Sequence, residues 1–432
     1  MNISVTGASG FIASHIVTDL IAAGHAVTCC VRDVAFTQKL FSTTRVIRCD
    51  FIHDQSINHW KERLQQIDLV INCVGILYHP NNKIIWSIHY KTPKALFDAC
   101  VQVGVKKIIQ ISALGVETSD VVYAQSKKAA DDYLQTLPIP SIILRPSLVY
   151  GRGSYGGSSL FRGLCGLPWI TPVPGHGTQA FQPIHVEDLS KAIIKLMELP
   201  SEQNLLLHAV SAKQINLNNI LTHMRSWLGF AKSRLCFVPV TLIRLASFIG
   251  DLIPYSVLNT NSYKLLVQNS ITSSEETQTF QNKIGFTPQA FPEGMYRHPS
   301  CIQDRWHARL YFLKPILKFS IAFIWLFTAI SCLFFYPKAA SYGLLAQIGV
   351  NAFWQPILFY GASILDAVIG LAVLFSNQLK KITLLQILII LGYSALLTWK
   401  LPNLWFEPFA PLAKNIPLLV AICISLALES DR

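Results

Sequence analysis

The chain has 432 residues and a net charge of +12, with 51% apolar and only 14% charged residues. Its length exceeds one ordinary domain, and the charged fraction lies well below the roughly 25% of soluble proteins. Charged residues become sparse after about Lys318, which indicates a soluble N-terminal part and a membrane-embedded C-terminal part. No run of five basic residues occurs, so the positive charge favours the flanks of membrane helices over nucleic-acid binding.

Short apolar runs alternate with helical patterns from residue 1 to about 200. Strands are predicted at residues 3–6, 26–31, 44–49, 69–73, 107–112 and 141–145. Helices are predicted at residues 12–23, 59–66, 93–103 and 123–137. This alternation predicts an α/β fold with a doubly wound parallel sheet, in which ligands bind at the carboxyl ends of the strands.

Residues 151–300 have a looser pattern, and we predict that they form the substrate side of a first domain at residues 1–300. Within this region, residues 237–254 are strongly apolar, with Arg244 and Asp251 as the only charged side chains. The segment is predicted to be a packed helix. The alternatives are a helix on the bilayer surface and a helix that lines an apolar substrate entrance.

Four long apolar stretches follow in residues 301–432, near 319–336, 353–375, 382–399 and 412–428. Each approaches the ~20 residues that cross a bilayer, so a bundle of about four transmembrane helices is predicted. Basic residues before the first stretch and between the second and third predict an inner, cytoplasmic membrane with the first domain facing the cytoplasm. The alternative is a set of buried helices in a large soluble protein. Asp366, in the second stretch, is interpreted as facing the bundle interior.

A glycine pair follows the first predicted strand and opens the first helix. Gly7, Gly10 and Ala13 are three residues apart, and this spacing in a strand–turn–helix context is typical of a dinucleotide site. Glycine lets the backbone approach a pyrophosphate, and the helix N-terminus attracts its charge. The alternative is an ordinary glycine-rich turn.

The residues after the second predicted strand indicate which dinucleotide is bound, because such residues contact the adenosine ribose. Arg32 suits the 2′-phosphate of NADP(H), whereas Asp33 would suit the free ribose hydroxyl of NAD(H). NADP(H) is preferred and NAD(H) is left open. Asp50, after the third strand, is placed to face the adenine, with a turn-capping role as the alternative.

Three side chains suggest proton-transfer chemistry. Tyr123 and Lys127 lie four residues apart on one helical face, and the ammonium is expected to lower the pKa of the phenol. Ser112 ends the preceding strand, where its hydroxyl could polarise a substrate carbonyl. The alternative for Ser112 is a strand-end cap.

These motifs resemble those of the short-chain dehydrogenase/reductase superfamily, in its extended or atypical branch. The resemblance covers roughly residues 1–300 through TGASGFIA, CDF, NCVG, ISALG, YAQSK, LRPSLVYG and QPIHVEDL. ISALG, LRPS and IHVEDL look most like the subgroup of the nucleotide-binding accessory subunit of respiratory complex I. The C-terminal stretches are similar to DoxX-like four-helix membrane domains.

The motifs and the resemblance together imply the cofactor-binding residues. They are Gly7, Gly10, Phe11, Ile12, Arg32, Asp50, Phe51, Asn72, Gly75, Lys127, Arg145, Pro146 and Val149. Those in the glycine loop would cradle the pyrophosphate, Asp50 would lie at the adenine, and Asn72 and Gly75 would lie beside the adenosine ribose. The last three would form the loop beside the nicotinamide.

The resemblance also implies catalytic roles. Tyr123 would be the acid/base, Lys127 would hold the nicotinamide ribose, and Ser112 would orient the substrate carbonyl. No metal is implied. Many active members have an asparagine where this chain has His89, which weakens the inference of a proton relay. His185 and Asp188 belong to a motif that is interpreted as structural.

Two functions follow from these observations. The first is a membrane-anchored NAD(P)(H)-dependent oxidoreductase or epimerase that acts on a carbonyl or alcohol of a lipophilic substrate. The second is a non-catalytic dinucleotide-binding structural or assembly factor for a membrane complex, such as a respiratory complex.

Overall fold

A computed structural model describes residues 1–154, 157–200, 204–251, 259–376 and 378–429. The chain divides into an N-terminal unit, Met1–Ala308, and a C-terminal unit, Arg309–Arg432.

The strands of the N-terminal unit alternate with its helices along the chain. In the described ranges they are β1 Asn2–Thr6, β2 Ala26–Val31, β3 Arg45–Arg48, β4 Leu69–Asn72, β5 Lys107–Ile111, β6 Ser141–Pro146, β7 Val149–Tyr150, β8 Ile170–Pro174, β9 Ala180–Phe181, β10 Ile184–His185, β11 Leu205–Ala209, β12 Ile215–Asn216 and β13 Arg234–Val238. The helices are α1 Phe11–Ala22, α2 Val34–Leu40, α3 Ile57–Arg63, α4 Asn82–Trp86, α5 Thr92–Val103, α6 Val122–Gln135, α7 Gly157–Gly166, α8 Val186–Met197, α9 Leu217–Trp227, α10 Val240–Asp251, α11 Thr260–Val267, α12 Ser274–Ile284 and α13 Phe291–Met295.

Seven strands form one parallel sheet in the order β11-β6-β5-β4-β1-β2-β3. The predicted doubly wound parallel sheet is therefore confirmed, with β1 as an interior strand between β4 and β2. The strand order reverses between β1 and β4, and ligands of such sheets bind in the crevice outside that point. β11 was not predicted, because its leucine-rich sequence suits a helix equally well and pairing with β6 decides its structure.

Helices cover both faces of this sheet. On one face, Ile16 of α1 and Ile193 of α8 pack in a fully buried cluster with β1 residues such as Val5. On the other face, Trp60 of α3 and Leu96 of α5 are fully buried in a second cluster. Two apolar layers thus hold the carboxyl edge of the sheet in a fixed position.

The region after β6 carries three pairs of short strands: β7 with β10, β8 with β13, and β9 with β12. The apolar segment predicted at residues 237–254 forms the end of β13 and α10, and its last three residues lie outside the described residues. The prediction of a packed helix is wrong for one face of α10, because large apolar side chains there are exposed.

The C-terminal unit is helical. Its helices are α14 Ile302–Ile330, which begins before the unit and continues as a π-helical turn Ser331–Phe335, α15 Lys338–Gln347, α16 Gln355–Phe375, α17 Leu379–Lys400, a 3-10 turn Pro402–Trp405, and α18 Asn415–Glu429. Gly370 lets α16 approach α14, because a Cβ there would lie 2.6 Å from Leu326 Cγ. Trp325 donates a buried hydrogen bond to Gln386 Oε1 at 2.9 Å and joins α14 to α17. Asp366 is half-buried on α16.

Three helices in the described residues are long and apolar enough to cross a membrane: Ile302–Phe335, Gln355–Phe375 and Leu379–Lys400. The fourth predicted stretch corresponds to α18, a shorter apolar helix of 15 residues in the described part of the chain. At 1.5 Å per residue these residues cover about 22 Å, compared with the ~30 Å hydrocarbon core. Residues 412–414 form turns, so the helix begins three residues after the predicted start, and a fourth span stays a prediction.

Candidate dinucleotide-binding and active site

A tight glycine turn joins β1 to α1 at the carboxyl edge of the sheet. Gly7 has φ +66°, and the Gly10 N–H donates to the Gly7 carbonyl at 2.7 Å. A Cβ at Gly10 would lie only 3.0 Å from that oxygen. α1 begins at Phe11 without a capping side chain or an acid in its first turn, and such a helix N-terminus attracts phosphate. The turn therefore fits the pyrophosphate of a dinucleotide.

Asn72 ties the sheet together at this edge. Its Oδ1 accepts from Thr6 Oγ1 at 2.6 Å, and its Nδ2 donates to Gln110 Oε1 at 2.7 Å. These bonds link the ends of β1, β4 and β5, and Asn72 is almost fully buried. Both polar atoms of the Asn72 side chain are thus engaged within the sheet, and its place beside the adenosine ribose stays a prediction.

Arg32 and Asp33 follow β2, and both are exposed. The Asp33 carboxylate accepts from the Phe36 N–H at 2.9 Å and caps α2. Arg48, which lies opposite Val31 in the β2–β3 register, is exposed as well. Two guanidinium groups are thus present at the carboxyl ends of β2 and β3. Arg48 was not predicted as a site residue. Its position as the last residue of a strand could have indicated that it lies at the ligand-binding edge of the sheet.

Asp50 and Phe51 form the turn after β3. Asp50 Oδ1 accepts from the Ile52 N–H at 3.0 Å, and the Asp50 N–H donates to Asp54 Oδ2 at 2.7 Å. Phe51 is buried and packs edge-on against Trp60, with ring centroids 5.6 Å apart. Both residues shape this turn, and their place at the adenine stays a prediction.

Tyr123 and Lys127 lie one turn apart on α6. The buried Lys127 ammonium is 5.8 Å from the centre of the phenol ring and donates to the Ile111 carbonyl at 2.9 Å. Burial lowers the pKa of Lys127. Burial also raises the pKa of Tyr123, with a further contribution from the charge of Asp131. The expected lowering of the tyrosine pKa is therefore wrong for the protein alone, because desolvation of the phenolate outweighs the ammonium.

His89 lies beside Tyr123, in a π-helical turn at Ser87–Lys91. Their rings meet edge to face, with centroids 5.3 Å apart. His89 Nε2 accepts from the Ile76 N–H at 3.1 Å, so Nδ1 carries the proton and donates to Ser126 Oγ at 2.9 Å. Burial holds the pKa of His89 well below its usual range. The imidazole is thus a neutral, fixed neighbour of the phenol.

Gly75 brings the backbone after β4 against this pair. A Cβ at Gly75 would lie 3.3 Å from Lys127 Nζ and 3.5 Å from His89 Nε2. Gly75 therefore lies close to the Lys127 and His89 side chains, and its place beside the adenosine ribose stays a prediction.

Ser112 follows β5 directly, but its hydroxyl is directed to α6. It donates to Asp131 Oδ2 at 2.6 Å, and the same oxygen accepts from Arg145 Nε at 3.1 Å. Arg145 also pairs with Glu117 at 2.5 Å. This buried cluster thus engages the Ser112 hydroxyl and the Arg145 guanidinium within the protein, and their roles at a substrate carbonyl and beside the nicotinamide stay predictions. Asp131 was not predicted as a site residue. It lies four residues after Lys127 and therefore on the same helical face, and this spacing could have indicated it.

The segment after β6 passes beside the glycine turn. Pro146 ends β6, and Val149 begins β7. A Cβ at Gly151 would lie 3.4 Å from the Phe11 ring. The structure thus brings the segment that contains Pro146 and Val149 towards the N-terminus of α1, where a bound dinucleotide would pass.

A cavity of about 240 Å³ lies near this segment, lined by His15, Arg152, His185, Val186, Glu187 and His298. Arg297 bridges its rim by pairing with Glu187 at 3.0 Å and Asp188 at 2.8 Å. His185 caps α8 through Nδ1, which accepts from the Glu187 N–H at 3.3 Å. These contacts support the structural interpretation of His185 and Asp188.

Two family models match separate parts of the chain. Residues 3–206 match the NAD dependent epimerase/dehydratase family, and residues 322–423 match the DoxX-like family. Among curated proteins, the chain is similar to NADH dehydrogenase (ubiquinone) 1 alpha subcomplex subunit 9 of Rattus norvegicus, with 24% identity over 259 residues. That alignment covers 58% of this chain and 66% of the relative.

Solved structures show the same fold at low identity. The UDP-glucose 4-epimerase of Thermotoga maritima, solved with UDP-glucose, has a TM-score of 0.53 and 18% identity, and the match covers 73% of this chain and all of that one. The UDP-glucose 4-epimerase of Thermus thermophilus, solved with NAD, has a TM-score of 0.52 and 20% identity, over 68% of this chain and 96% of that one. The predicted resemblance is confirmed: the chain carries an NAD-dependent epimerase/dehydratase-type Rossmann domain followed by a DoxX-like domain.

Proposed function

We propose that this protein is a membrane-anchored NADP(H)-dependent oxidoreductase or epimerase that acts on a carbonyl or alcohol carbon of a lipophilic substrate. The observation that carries the proposal is the meeting of Tyr123, Lys127 and His89 at the carboxyl edge of the sheet. The glycine turn at Gly7 and Gly10 lies at the same edge.

The chemistry divides between cofactor and protein. A bound nicotinamide would supply or accept the hydride, as such cofactors do. The Tyr123 hydroxyl would exchange the proton with the substrate oxygen. The phenol of the free protein is protonated at neutral pH, so it could give its proton to the substrate oxygen in the reduction direction. Burial raises its pKa, which makes the phenol a weaker acid and the phenolate a stronger base. Lys127 would supply a buried positive charge against the developing oxyanion.

The cofactor would be held along the crevice at the carboxyl edge. Gly7, Gly10, Phe11 and Ile12 would hold the pyrophosphate at the N-terminus of α1. Arg32 would contact a 2′-phosphate, which is favoured because the Asp33 carboxylate already caps α2. NAD(H) remains the alternative, since Asp33 has a second oxygen that a ribose hydroxyl could reach.

The substrate class and location follow from the membrane unit. A chain with long apolar helices meets substrates that partition into lipid, so we propose a lipophilic carbonyl or alcohol. Residues 151–300 would form the substrate side. The N-terminal unit would face the cytoplasm, since basic residues flank the first apolar span.

Tyr123→Phe tests the catalytic assignment. The variant should lose NADPH-linked turnover by about 100-fold or more, because proton transfer of this kind contributes that much, while NADPH affinity stays unchanged. Tyr133→Phe is the matched control: it lies on the same helix, and its hydroxyl bonds to Asp98 instead. Full turnover in Tyr123→Phe would remove the phenol from the mechanism.

A second function, a dinucleotide-binding structural or assembly factor, is favoured by one specific contact. The Ser112 hydroxyl donates its hydrogen bond to Asp131, so it is not directed at a substrate carbonyl. The curated relative is also named as a subunit of NADH dehydrogenase (ubiquinone). The phenotypes of variants in cells would distinguish the two functions. A normal phenotype for Tyr123→Phe, together with a defect for Gly10→Asp, would favour the structural role.

A further inference from the structure

One face of α10 exposes large apolar side chains that no described part of the protein covers. Leu242, Leu245 and Phe248 are 56%, 58% and 66% exposed. Their spacing of three residues places them within about 120° of the helix circumference. Single exposed apolar residues are ordinary, but an aligned row of three marks a surface that contacts something apolar.

The opposite face of α10 attaches the helix to the N-terminal unit. Ile243, Ser247 and Gly250 are buried there, and the Ser247 hydroxyl donates to the Ile243 carbonyl at 2.7 Å. The helix therefore directs Ile243, Ser247 and Gly250 inwards, and Leu242, Leu245 and Phe248 outwards. This is the reverse of a helix that only completes a protein core.

The apolar surface extends into the strand before the helix. Phe237 at the end of β13 is 51% exposed, and Val240 at the start of α10 is 39% exposed. Val240 is fixed near the β8–β9 turn, because a Cβ at Gly175 would lie 3.1 Å from it. We refer to Phe237, Val240, Leu242, Leu245 and Phe248 as the α10 surface.

The charged residues of the segment that carries the α10 surface are mostly basic. Residues 231–250 contain Lys232, Arg234 and Arg244 and no acid, and all three are exposed. The acid that follows at the end of α10, Asp251, accepts hydrogen bonds from the Thr260 backbone at 3.0 Å and the Thr260 hydroxyl at 2.5 Å, and so links α10 to α11. Along this segment, exposed basic side chains thus accompany the exposed apolar ones.

We propose that the α10 surface docks the N-terminal unit onto a lipid bilayer with anionic headgroups, with its apolar side chains in the interfacial layer. Apolar side chains rimmed by Lys and Arg are the chemistry of helices that lie in a membrane interface. Arg244 stands on the flank of the row, where a long side chain reaches the headgroups while its stem stays in the apolar layer.

A bilayer is favoured over a protein partner because the same chain carries three helices able to cross one. A tethered surface meets the membrane at high effective concentration, so a small apolar area is sufficient for docking. This inference goes beyond the proposed function, since it requires neither a bound nucleotide nor turnover.

Site-specific photo-crosslinking of the full chain tests the proposal. Phe248→p-benzoylphenylalanine and Phe36→p-benzoylphenylalanine are compared in vesicles of phosphatidylethanolamine and phosphatidylglycerol. Phe36 is the matched control, because it is a phenylalanine 55% exposed on α2 of the same unit. We expect a lipid adduct at position 248 at least severalfold more abundant than at position 36. Equal lipid yields, a crosslink to a second copy or a crosslink within the chain would overturn the proposal.

A charge variant provides the second readout. Arg234→Glu combined with Arg244→Glu should reduce the lipid adduct at position 248 severalfold in phosphatidylglycerol vesicles. Lys39→Glu, near the control position, should leave it unchanged. In vesicles of neutral phosphatidylcholine the difference between these variants should disappear, and its persistence there would contradict a role for anionic headgroups.

Discussion

At the scale of single residues, the environment of Tyr123 depends on one buried carboxylate. Asp131 is fully buried, and its Oδ2 takes hydrogen bonds from Ser112 and Arg145. Its Oδ1 has no hydrogen-bond partner within the described residues. Asp131 is thus paired with Arg145. Its negative charge also raises the pKa of the Tyr123 phenol and so favours the protonated form.

Asp131→Asn should destabilise the N-terminal unit by about 3 kcal/mol, because it leaves the buried Arg145 without its closest buried counter-charge. Asp132→Asn is the neighbouring control, since its pair with Lys128 is exposed and worth under about 1 kcal/mol. The measurement is the urea midpoint of proteolytic cleavage within residues 1–308 of the detergent-solubilised chain. Equal shifts in the two variants would contradict the importance of the buried cluster.

Arg32→Ala should weaken NADPH binding by about tenfold or more and leave NADH binding nearly unchanged, because a charge-assisted bond to a phosphate is worth about 1.5–3 kcal/mol. Arg45→Ala, at the opposite end of the β2–β3 pair, is the control. Titration of both nucleotides against the full chain measures the effect. Equal losses for NADPH and NADH would remove Arg32 from the 2′-phosphate.

At the scale of elements, the N-termini of two helices have different roles. The N-terminus of α1 forms part of the candidate cofactor site, and the N-terminus of α8 stabilises the structure beside it. Gly10 is the N-cap residue of α1 and offers no capping side chain, which leaves the first turn suited to an anion. His185 is the N-cap residue of α8; its imidazole caps the helix and also lies 3.4 Å from Arg297 Nη1. Burial and the Arg297 charge lower the pKa of His185 to about 4.

Gly10→Ala should weaken NADPH and NADH alike, by about tenfold or more, because the new Cβ would lie 3.0 Å from the Gly7 carbonyl and displace the turn. Gly24→Ala is the control. That residue has φ +79° and open space around it, so alanine costs about 1–2 kcal/mol of stability without touching the crevice. Unchanged nucleotide affinity in Gly10→Ala would show that the turn does not hold the pyrophosphate.

The low pKa of His185 predicts acid sensitivity. The unfolded chain binds this proton below about pH 6.5, whereas the folded protein binds it only near pH 4. Stability from the neutral imidazole is therefore complete above pH 6.5 and falls by up to about 3 kcal/mol as the pH drops to about 4. His185→Asn, which can cap but does not titrate, should flatten this slope, while His59→Asn on the surface should not. A wild-type slope in His185→Asn would assign the acid sensitivity to other groups.

At the scale of the whole molecule, an epimerase/dehydratase-type unit and a DoxX-like unit occur in one chain. The alternation of strands and helices, the doubly wound parallel sheet and the shared helical face of Tyr123 and Lys127 could be predicted, because local periodicity and spacing determine them. The Ser112–Asp131 bond and the sheet contacts of Asn72 could not, since they depend on which side chains meet across separate strands and helices. The pKa direction of Tyr123 was missed for the same reason: burial is a property of the fold.

The central claim is that Tyr123 performs proton transfer in a nicotinamide-linked reaction on a lipophilic substrate. The most direct measurement uses the full chain in vesicles made from native lipid extract, supplied with NADPH deuterated at the nicotinamide C4. We predict that deuterium appears in a lipid-extractable product with the wild-type chain and not with Tyr123→Phe, while both bind NADPH equally. Binding of NADPH by the wild-type chain without any transfer of deuterium would contradict the account.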